Sequence, residues 1–378
     1  MGVGIPVRRA VLRFPLLRRT ISIPVLLFFA VLTFALVPVI GVLTAPFALR
    51  PGGRGRAFRF SVFLAVYLAS EISGLASCVV LWGRAGFRAP KGPATSQSSQ
   101  KSQAYQEANF RLLARLLNRL YAAAGKLYGL QIQLPETVGP SRSGVPKVPE
   151  LPPGPLIILS RHGGPGDSFL LIHALLVHGG RRPRIVLKDT LVLDPLIDVV
   201  LHRVPHCFID PNPDGGHAED EQDQDKHAEN ERGEKAAAEI GRLAAGMGPA
   251  DALVVFPEGG NFTPGRRIRA ITKLRSRGLR DSANRARRLH HVLPPRPAGV
   301  FAAIDAAPDA SVVFVAHTGL DHMESVAGVW HSVPLTKPVE ATWWTIPASR
   351  IPVDREARLR WLQDNWAEVD AWIGEHRD

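Results

Sequence analysis

Between Ile21 and Leu49 the chain carries no charged residue. As a helix, a run of that length reaches past the roughly 30 Å of hydrocarbon in a bilayer. A second apolar stretch, Phe60 to Trp82, is interrupted only by Glu71. A cleavable signal peptide fits poorly, because the first run is too long and lacks a small-residue cleavage pattern. The expectation is a helical, hydrophobic membrane anchor over residues 1–88.

Two topologies are open for that anchor. Arg8, Arg9, Arg13, Arg18 and Arg19 precede the first run, and Arg50, Arg54, Arg56 and Arg59 lie between the two. Arg84, Arg88 and Lys91 follow the second. A spanning hairpin puts one of these clusters outside, against the positive-inside bias. A hairpin that dips into the cytoplasmic leaflet and returns keeps every cluster near anionic head groups. Pro24, Pro38 and Pro46 are expected to break the first run into shorter helical pieces. Glu71 is costly in hydrocarbon, and should face protein or the interface, or lie near the segment end and snorkel.

The charge balance narrows the partners. With 46 Lys+Arg against 34 Asp+Glu the formal net charge is +12, which calls for a lipid surface, a nucleic acid or a phosphorylated small molecule. A hydrophobic content of 46% excludes a disordered chain. Cys78 and Cys207 are the only cysteines, too few for a disulfide framework or a cysteine zinc site. The basic residues come without a nucleic-acid reading motif or interleaved aromatics, so no nucleic-acid partner is expected.

Residues 89–105 read as a polar, Ser/Gln-rich linker, and residues 106–378 as the second, larger domain. From Gln106 to Tyr128 apolar residues return at helical spacing, either on the membrane surface or as an ordinary packed helix. Beyond Glu150, short apolar runs alternate with helical stretches. PLIILS (155–160), RIVLK (184–188), HCFID (206–210), ALVVFP (252–257) and SVVFVA (311–316) are the expected strands. Helices are expected over 168–177 and 234–245, after an acidic insert that begins near Asp214. This is the pattern of an α/β domain with a mixed, largely parallel sheet flanked by helices.

Two turns carry the chemistry. Ser160-Arg161-His162-Gly163-Gly164-Pro165-Gly166-Asp167-Ser168 follows one strand and enters a helix. A tight Gly/Pro turn folds the Asp167 carboxylate back onto the His162 imidazole, fixing its tautomer and leaving the other ring nitrogen to take a proton. The alternative is that Asp167 is a plain helix N-cap. Val255-Phe256-Pro257-Glu258-Gly259-Gly260-Asn261-Phe262 ends a later strand. Its glycines permit close backbone approach, and their N–H groups suit an oxyanion or phosphate.

Together these turns resemble the glycerolipid acyltransferase family, the 1-acyl-sn-glycerol-3-phosphate acyltransferases. KDTLVLDPLIDVVLHRVPHCFID (188–210) and VVFVAHTG (312–319) are similar to two further blocks of that family. LHHVLPPRPAGVF (289–301) and the closing region 346–373 resemble the subgroup containing the eukaryotic-type and lysocardiolipin acyltransferases. The resemblance implies a membrane-bound enzyme that moves an acyl chain from acyl-CoA, as co-substrate, to the free hydroxyl of a lysophospholipid. The foremost acceptor is 1-acyl-sn-glycerol-3-phosphate and the product phosphatidic acid. His162 is then the general base, Asp167 orients it, and Glu258, Gly259 and Gly260 shape the acceptor site. No metal and no bound cofactor is implied, and the catalytic domain is expected on the cytoplasmic face of the cell membrane, among its lipids.

The chain departs from the family pattern at three positions. Gly260 and Asn261 stand where the family commonly has Thr and a phosphate-binding Arg, and Pro211 stands where the second block commonly has Arg. Substitute cations are sought in the dense basic run that begins with Arg266 and Arg267, and in Lys188. Two readings compete with the foremost one: a catalytically silent lipid-binding or scaffold protein on the same fold, and an acyltransferase for a different lysolipid.

Overall fold

The computed structural model describes residues 14–48, 55–87, 100–134, 151–164, 166–209, 224–320 and 326–376. Of the expected linker 89–105, residues 89–99 lie outside the described residues, as do Arg88, Asp210 and the segment 211–223 that opens the acidic insert, whereas residues 100–105 are not linker but the start of the helix Gln100–Tyr128. In chain order the elements begin with α1 (Pro15–Ala48), α2 (Arg56–Arg84), α3 (Gln100–Tyr128), β1 (Ile132–Gln133), β2 (Leu156–Ser160) and α4 (Asp167–His173). Next come β3 (Arg182–Lys188), α5 (Pro195–Leu201), β4 (His206–Ile209), α6 (Gln224–Ala244), β5 (Asp251–Val255) and α7 (Pro264–Ser276). The chain closes with α8 (Arg280–Ala286), α9 (Pro297–Ala306), β6 (Ser311–His317), α10 (Val326–Ser332), β7 (Val339–Ile346) and α11 (Arg355–Glu375).

Two compact units result. The first gathers residues 1–130, 187–211 and 330–336; the second takes 131–186, 212–329 and 337–378.

In the first unit, the stretches Pro15–Thr44 and Arg56–Arg84 are long and apolar enough to cross a membrane, by length and composition. The expected breaks at Pro24, Pro38 and Pro46 do not occur, and α1 continues through all three. Each proline removes one N–H from the helical ladder, but its φ suits a helix and the neighbouring turns keep their own bonds. Among apolar side chains, moreover, no water competes for the backbone. Leu26 and Ala30 of α1 pack with Leu68 of α2. The helix α3 is a packed one: Leu112 and Leu116 share a buried cluster with Cys78 of α2 and with Leu196 and Val200 of α5. Glu71 faces protein. It is 4% exposed, and its Oε2 accepts the Leu196 N–H at 3.2 Å.

The sheet order is β1-β7-β6-β2-β5-β3-β4. Strand β2 is buried along its length, as expected for a continuous apolar run with strands on either side. It pairs in parallel with β5, from Leu156↔Ala252 to Leu159↔Val255, and with β6, from Leu156↔Ser311 to Ser160↔Val315. Strand β3 pairs in parallel with β5. The exception is β7, antiparallel to β6 from Val312↔Ile346 to His317↔Ala341. Its sequence, VEATWWTI, is mostly half-buried and was not among the expected strands. Helix α11 closes the unit with Trp366, fully buried, whose Nε1–H donates to the Leu293 carbonyl at 2.9 Å. Nearby, the Asp370 carboxylate accepts the N–H groups of His290, His291 and Val292, which fixes the segment leading to Leu293.

The in-register parallel pairing has one consequence for chemistry. The carboxyl ends of β2 and β5 lie side by side, so the turns that leave them meet at one edge, where open α/β sheets bind ligands.

Candidate active site

His162 is the second residue after β2, and Asp167 is the first residue of α4. His162 Nδ1 lies 2.8 Å from Asp167 Oδ2. An ionised carboxylate only accepts, so the ring proton belongs on Nδ1, and Nε2 carries the lone pair. The carboxylate is itself held in place: Oδ2 also accepts the Gly164 N–H at 3.2 Å, and Oδ1 accepts the Ser168 N–H at 2.6 Å. Burial alone would raise the pKa of Asp167. The hydrogen bond from His162, the charges of His162 and His317 and the Gly164 N–H outweigh it and hold the carboxyl below its ordinary range. The imidazole side chain is 14% exposed and that of Asp167 2%, so the base is reachable while its partner is enclosed.

The second turn braces the first. Glu258 is 1% exposed. Its Oε1 accepts the His162 N–H at 2.7 Å and its Oε2 the Leu293 N–H, also at 2.7 Å. The Phe262 N–H donates to the His162 carbonyl at 3.2 Å, and the Phe256 ring lies 4.7 Å from the imidazole centroid. His162 is thereby fixed through its N–H, its carbonyl and one ring face. Burial pushes the Glu258 carboxyl up to about 8, against the opposing pull of the Leu293 and His162 N–H groups and of Arg161. Both Glu258 oxygens face backbone amides.

The glycines are spatially required. A Cβ on Gly164 would meet the Leu320 carbonyl oxygen at 2.9 Å, and one on Gly163 would meet the Arg161 guanidinium at 3.1 Å and His317 at 3.2 Å. Gly164→Ala should therefore displace the 162–167 turn and lower stability by about 1–3 kcal/mol. Thermal unfolding with and without the change measures this, and an unchanged midpoint would refute it.

The cations divide. Gly259 has φ +69°, and a Cβ there would lie 3.0 Å from Arg296 Nε; one on Gly260 would lie 3.0 Å from Arg266 Nη1. Two guanidinium groups thus lie against the turn whose own residues carry no positive charge. Arg266 Nη1 also donates to the Asn261 carbonyl at 3.2 Å. Arg267 is directed elsewhere: Nη2 donates to the Arg287 carbonyl at 2.8 Å and Nε to that of Leu289. Lys188 is exposed at the end of β3 and belongs to the first unit, not to the unit that holds His162.

Sequence reading gave no role to Arg161 and did not single out Arg296 from the other arginines of the basic stretch. Arg161 is fully buried; its Nη1 donates to the His317 carbonyl at 2.8 Å, while His317 Nε2 lies 3.3 Å from the Arg161 carbonyl. The cue was its place next to His162, and what hides its role is that its partner is 156 residues away. Arg296 was one of many arginines in a basic stretch, and only the packing of the 290–296 segment singles it out. Among the described residues, no three His, Cys, Asp or Glu side chains are grouped so as to hold a metal ion.

The assembled geometry offers one ring nitrogen for proton transfer, glycine-bearing turns on either side of it and two guanidinium groups beside the second turn. A comparison with curated proteins returned no match. Residues 144–317, which contain His162, Asp167 and Glu258, match the family model described as Acyltransferase. That stretch is thus similar to an acyltransferase domain.

Proposed function

We propose that this protein transfers an acyl chain from acyl-CoA to the free hydroxyl of a lysophospholipid, with 1-acyl-sn-glycerol-3-phosphate as the foremost acceptor and phosphatidic acid as product. The observation that carries the reading is the 2.8 Å pairing of His162 Nδ1 with Asp167. In this reading Nε2 takes the proton of the acceptor hydroxyl as its oxygen attacks the thioester carbonyl. The tetrahedral intermediate collapses, the carbon–sulfur bond breaks, and the proton passes from the imidazolium to the departing thiolate. The products are the acylated lipid and free CoA thiol. No covalent acyl-enzyme is needed. The first half of α4 and the turn before it supply backbone dipoles, although the Gly164 N–H is already given to Asp167.

Glu258 acts here as a brace for His162, since both its oxygens accept backbone N–H groups. Arg266 and Arg296 are assigned to the acceptor's phosphate, in place of the cations that Asn261 and Pro211 do not supply. The reading places the enzyme on the cell membrane with its catalytic domain on the cytoplasmic face.

Thiol release from acyl-CoA, followed over a panel of lysophospholipid acceptors, tests the proposal. Release should depend on an acceptor and be fastest with the phosphate monoester. Release no faster than from membranes lacking the protein, with every acceptor, would overturn the enzymatic reading. Arg296→Ala should raise KM for phosphate-bearing acceptors by about 10–100-fold, the equivalent of one charge-assisted contact of about 1.5–3 kcal/mol. A panel in which the monoester is not preferred, with KM unmoved by Arg296→Ala, would point to a different lysolipid.

A further inference from the structure

The turn that carries His162 is held from the β5 side by Glu258 and Phe262. The other neighbour of β2 in the sheet is β6. On that side lie two buried ionisable residues that the proposed chemistry does not use. Arg161 directly follows β2, and His317 is the last residue of β6.

The two are joined crosswise. Arg161 Nη1 donates to the His317 carbonyl at 2.8 Å, and His317 Nε2 donates to the Arg161 carbonyl at 3.3 Å. A carbonyl only accepts, so the second contact places a proton on Nε2. The Arg161 N–H donates to the Val315 carbonyl at 3.4 Å. Each side chain thus closes on the main chain of the other, one residue before His162.

The 162–164 turn sits directly on this clasp. A Cβ on Gly163 would lie 3.1 Å from the Arg161 guanidinium carbon and 3.2 Å from His317 Cε1. The segment beyond His317 closes on the next residue, since a Cβ on Gly164 would meet the Leu320 carbonyl oxygen at 2.9 Å. That segment is itself tied to β7, where the Thr318 N–H donates to the Glu340 carbonyl at 2.9 Å. Gly164 in turn gives its N–H to Asp167 Oδ2. A continuous set of contacts therefore runs from the end of β6 to the carboxylate that faces His162.

Holding two strands together does not account for the pair. Strands β2 and β6 are already in register from Leu156↔Ser311 to Ser160↔Val315. Taking a guanidinium wholly out of water is costly, and an apolar side chain of similar volume avoids that cost. What the two groups supply is a polar seat whose charge reaches both carboxyls of the site. Arg161 draws the Glu258 carboxyl down against its burial, and His317 does the same for Asp167.

We propose that Arg161 and His317 are positioning residues for the acyl transfer: their clasp seats the 162–164 turn so that the His162 imidazole and the Asp167 carboxylate stay aligned. This role presupposes the general-base reading given above, and neither residue touches substrate in it. A misplacement of about 1 Å at a reacting group costs about 10²-fold in rate, so the clasp acts on kcat and not on acceptor binding.

Full-length protein in membranes bearing Arg161→Met, His317→Leu or His317→Gln tests this, with acceptor-dependent thiol release as the first readout. His317→Gln keeps an N–H near the place of Nε2, and His317→Leu does not. Arg161→Met and His317→Leu should lower kcat by about 10²-fold with KM for both substrates unchanged, and His317→Gln should recover most of that loss. The second readout needs no turnover. With isotope-labelled histidine, the Nδ1–H proton shared with Asp167 gives a downfield resonance, assigned by its absence in His162→Gln. It should be lost or broadened in Arg161→Met and His317→Leu, and present in His317→Gln.

Parent rates and an unchanged resonance in folded Arg161→Met or His317→Leu would overturn the proposal, even with a lowered unfolding midpoint, because that pattern marks a strand staple. A rise in KM at constant kcat would overturn it too, as the mark of a group that touches substrate. Where Arg161→Met fails to fold, the two His317 variants decide. A parent that releases no thiol with any acceptor sinks the general-base reading, and the resonance then decides separately whether the clasp aligns the pair.

Discussion

Replacing His162 by alanine is expected to slow acceptor-dependent thiol release by about 10²–10⁴-fold, the range for removal of a positioned general base, with the folded protein still present in the membrane. Equal rates for the variant and the parent would remove the chemistry proposed for this site. Asp167→Asn is the sharper probe, because it changes the tautomer without emptying the space. All the contacts of the Asp167 carboxylate are accepted ones, from His162 Nδ1, the Gly164 N–H and the Ser168 N–H and Oγ. An amide offers one accepting and one donating atom. If its NH2 faces the ring, Nδ1 must accept and Nε2 carries the proton, which disables the base; if it faces Ser168, it meets another N–H. The expected result is a loss of rate with KM for the acceptor little changed, since Asp167 is proposed to touch no substrate. A pure rise in KM would contradict this.

The second large effect falls on Glu258. Alanine there leaves the N–H groups of His162 and Leu293 without their acceptors in an enclosed site. At about 1–3 kcal/mol for each buried donor left unmet, Glu258→Ala should cost several kcal/mol in stability and displace His162, so that unfolding midpoint and activity fall together. Glu258→Gln should also destabilise, because one of its two terminal atoms then points a donor at a donor. Ionisation gives a further signature. The folded carboxyl is raised to about 8 from an ordinary 4.5, so the folded state binds more protons than the unfolded chain between those values. Its contribution to stability is complete below the ordinary value and is lost as pH rises through about 8. Stability of the parent should therefore decline over that window, and Glu258→Gln should flatten the decline. Identical pH profiles for the two would exclude Glu258 as the titrating group.

Much of the site can be read locally. The two turns were recognisable because each joins a strand end to glycines and a charged residue over fewer than ten positions, and short-range backbone sterics dictate such turns. The five strands expected from apolar runs all form, and β2, β5 and β6, buried along all or nearly all of their length, have no polar face to disguise them. β7 escaped notice for the opposite reason: a half-buried edge mixes Trp with Glu and Thr, and only its partner β6 identifies it as a strand. The continuity of α1 through three prolines was likewise misjudged, because proline propensity is a local penalty that an apolar helical environment overrides.

From composition and pattern alone one obtains a basic, membrane-seeking chain, an α/β sheet and a histidine with an aspartate five residues on. These depend on transfer free energies and turn sterics, which act over a few residues and leave their mark in the order of the amino acids. Contacts across long stretches of chain had to wait for coordinates. They set Glu258 beneath the His162 backbone, lay Arg296 against Gly259, close Arg161 on His317, and pack Leu196 and Val200 against Cys78 of α2. Such contacts arise when a folded core leaves a polar atom one satisfactory partner, and no local pattern names that partner in advance.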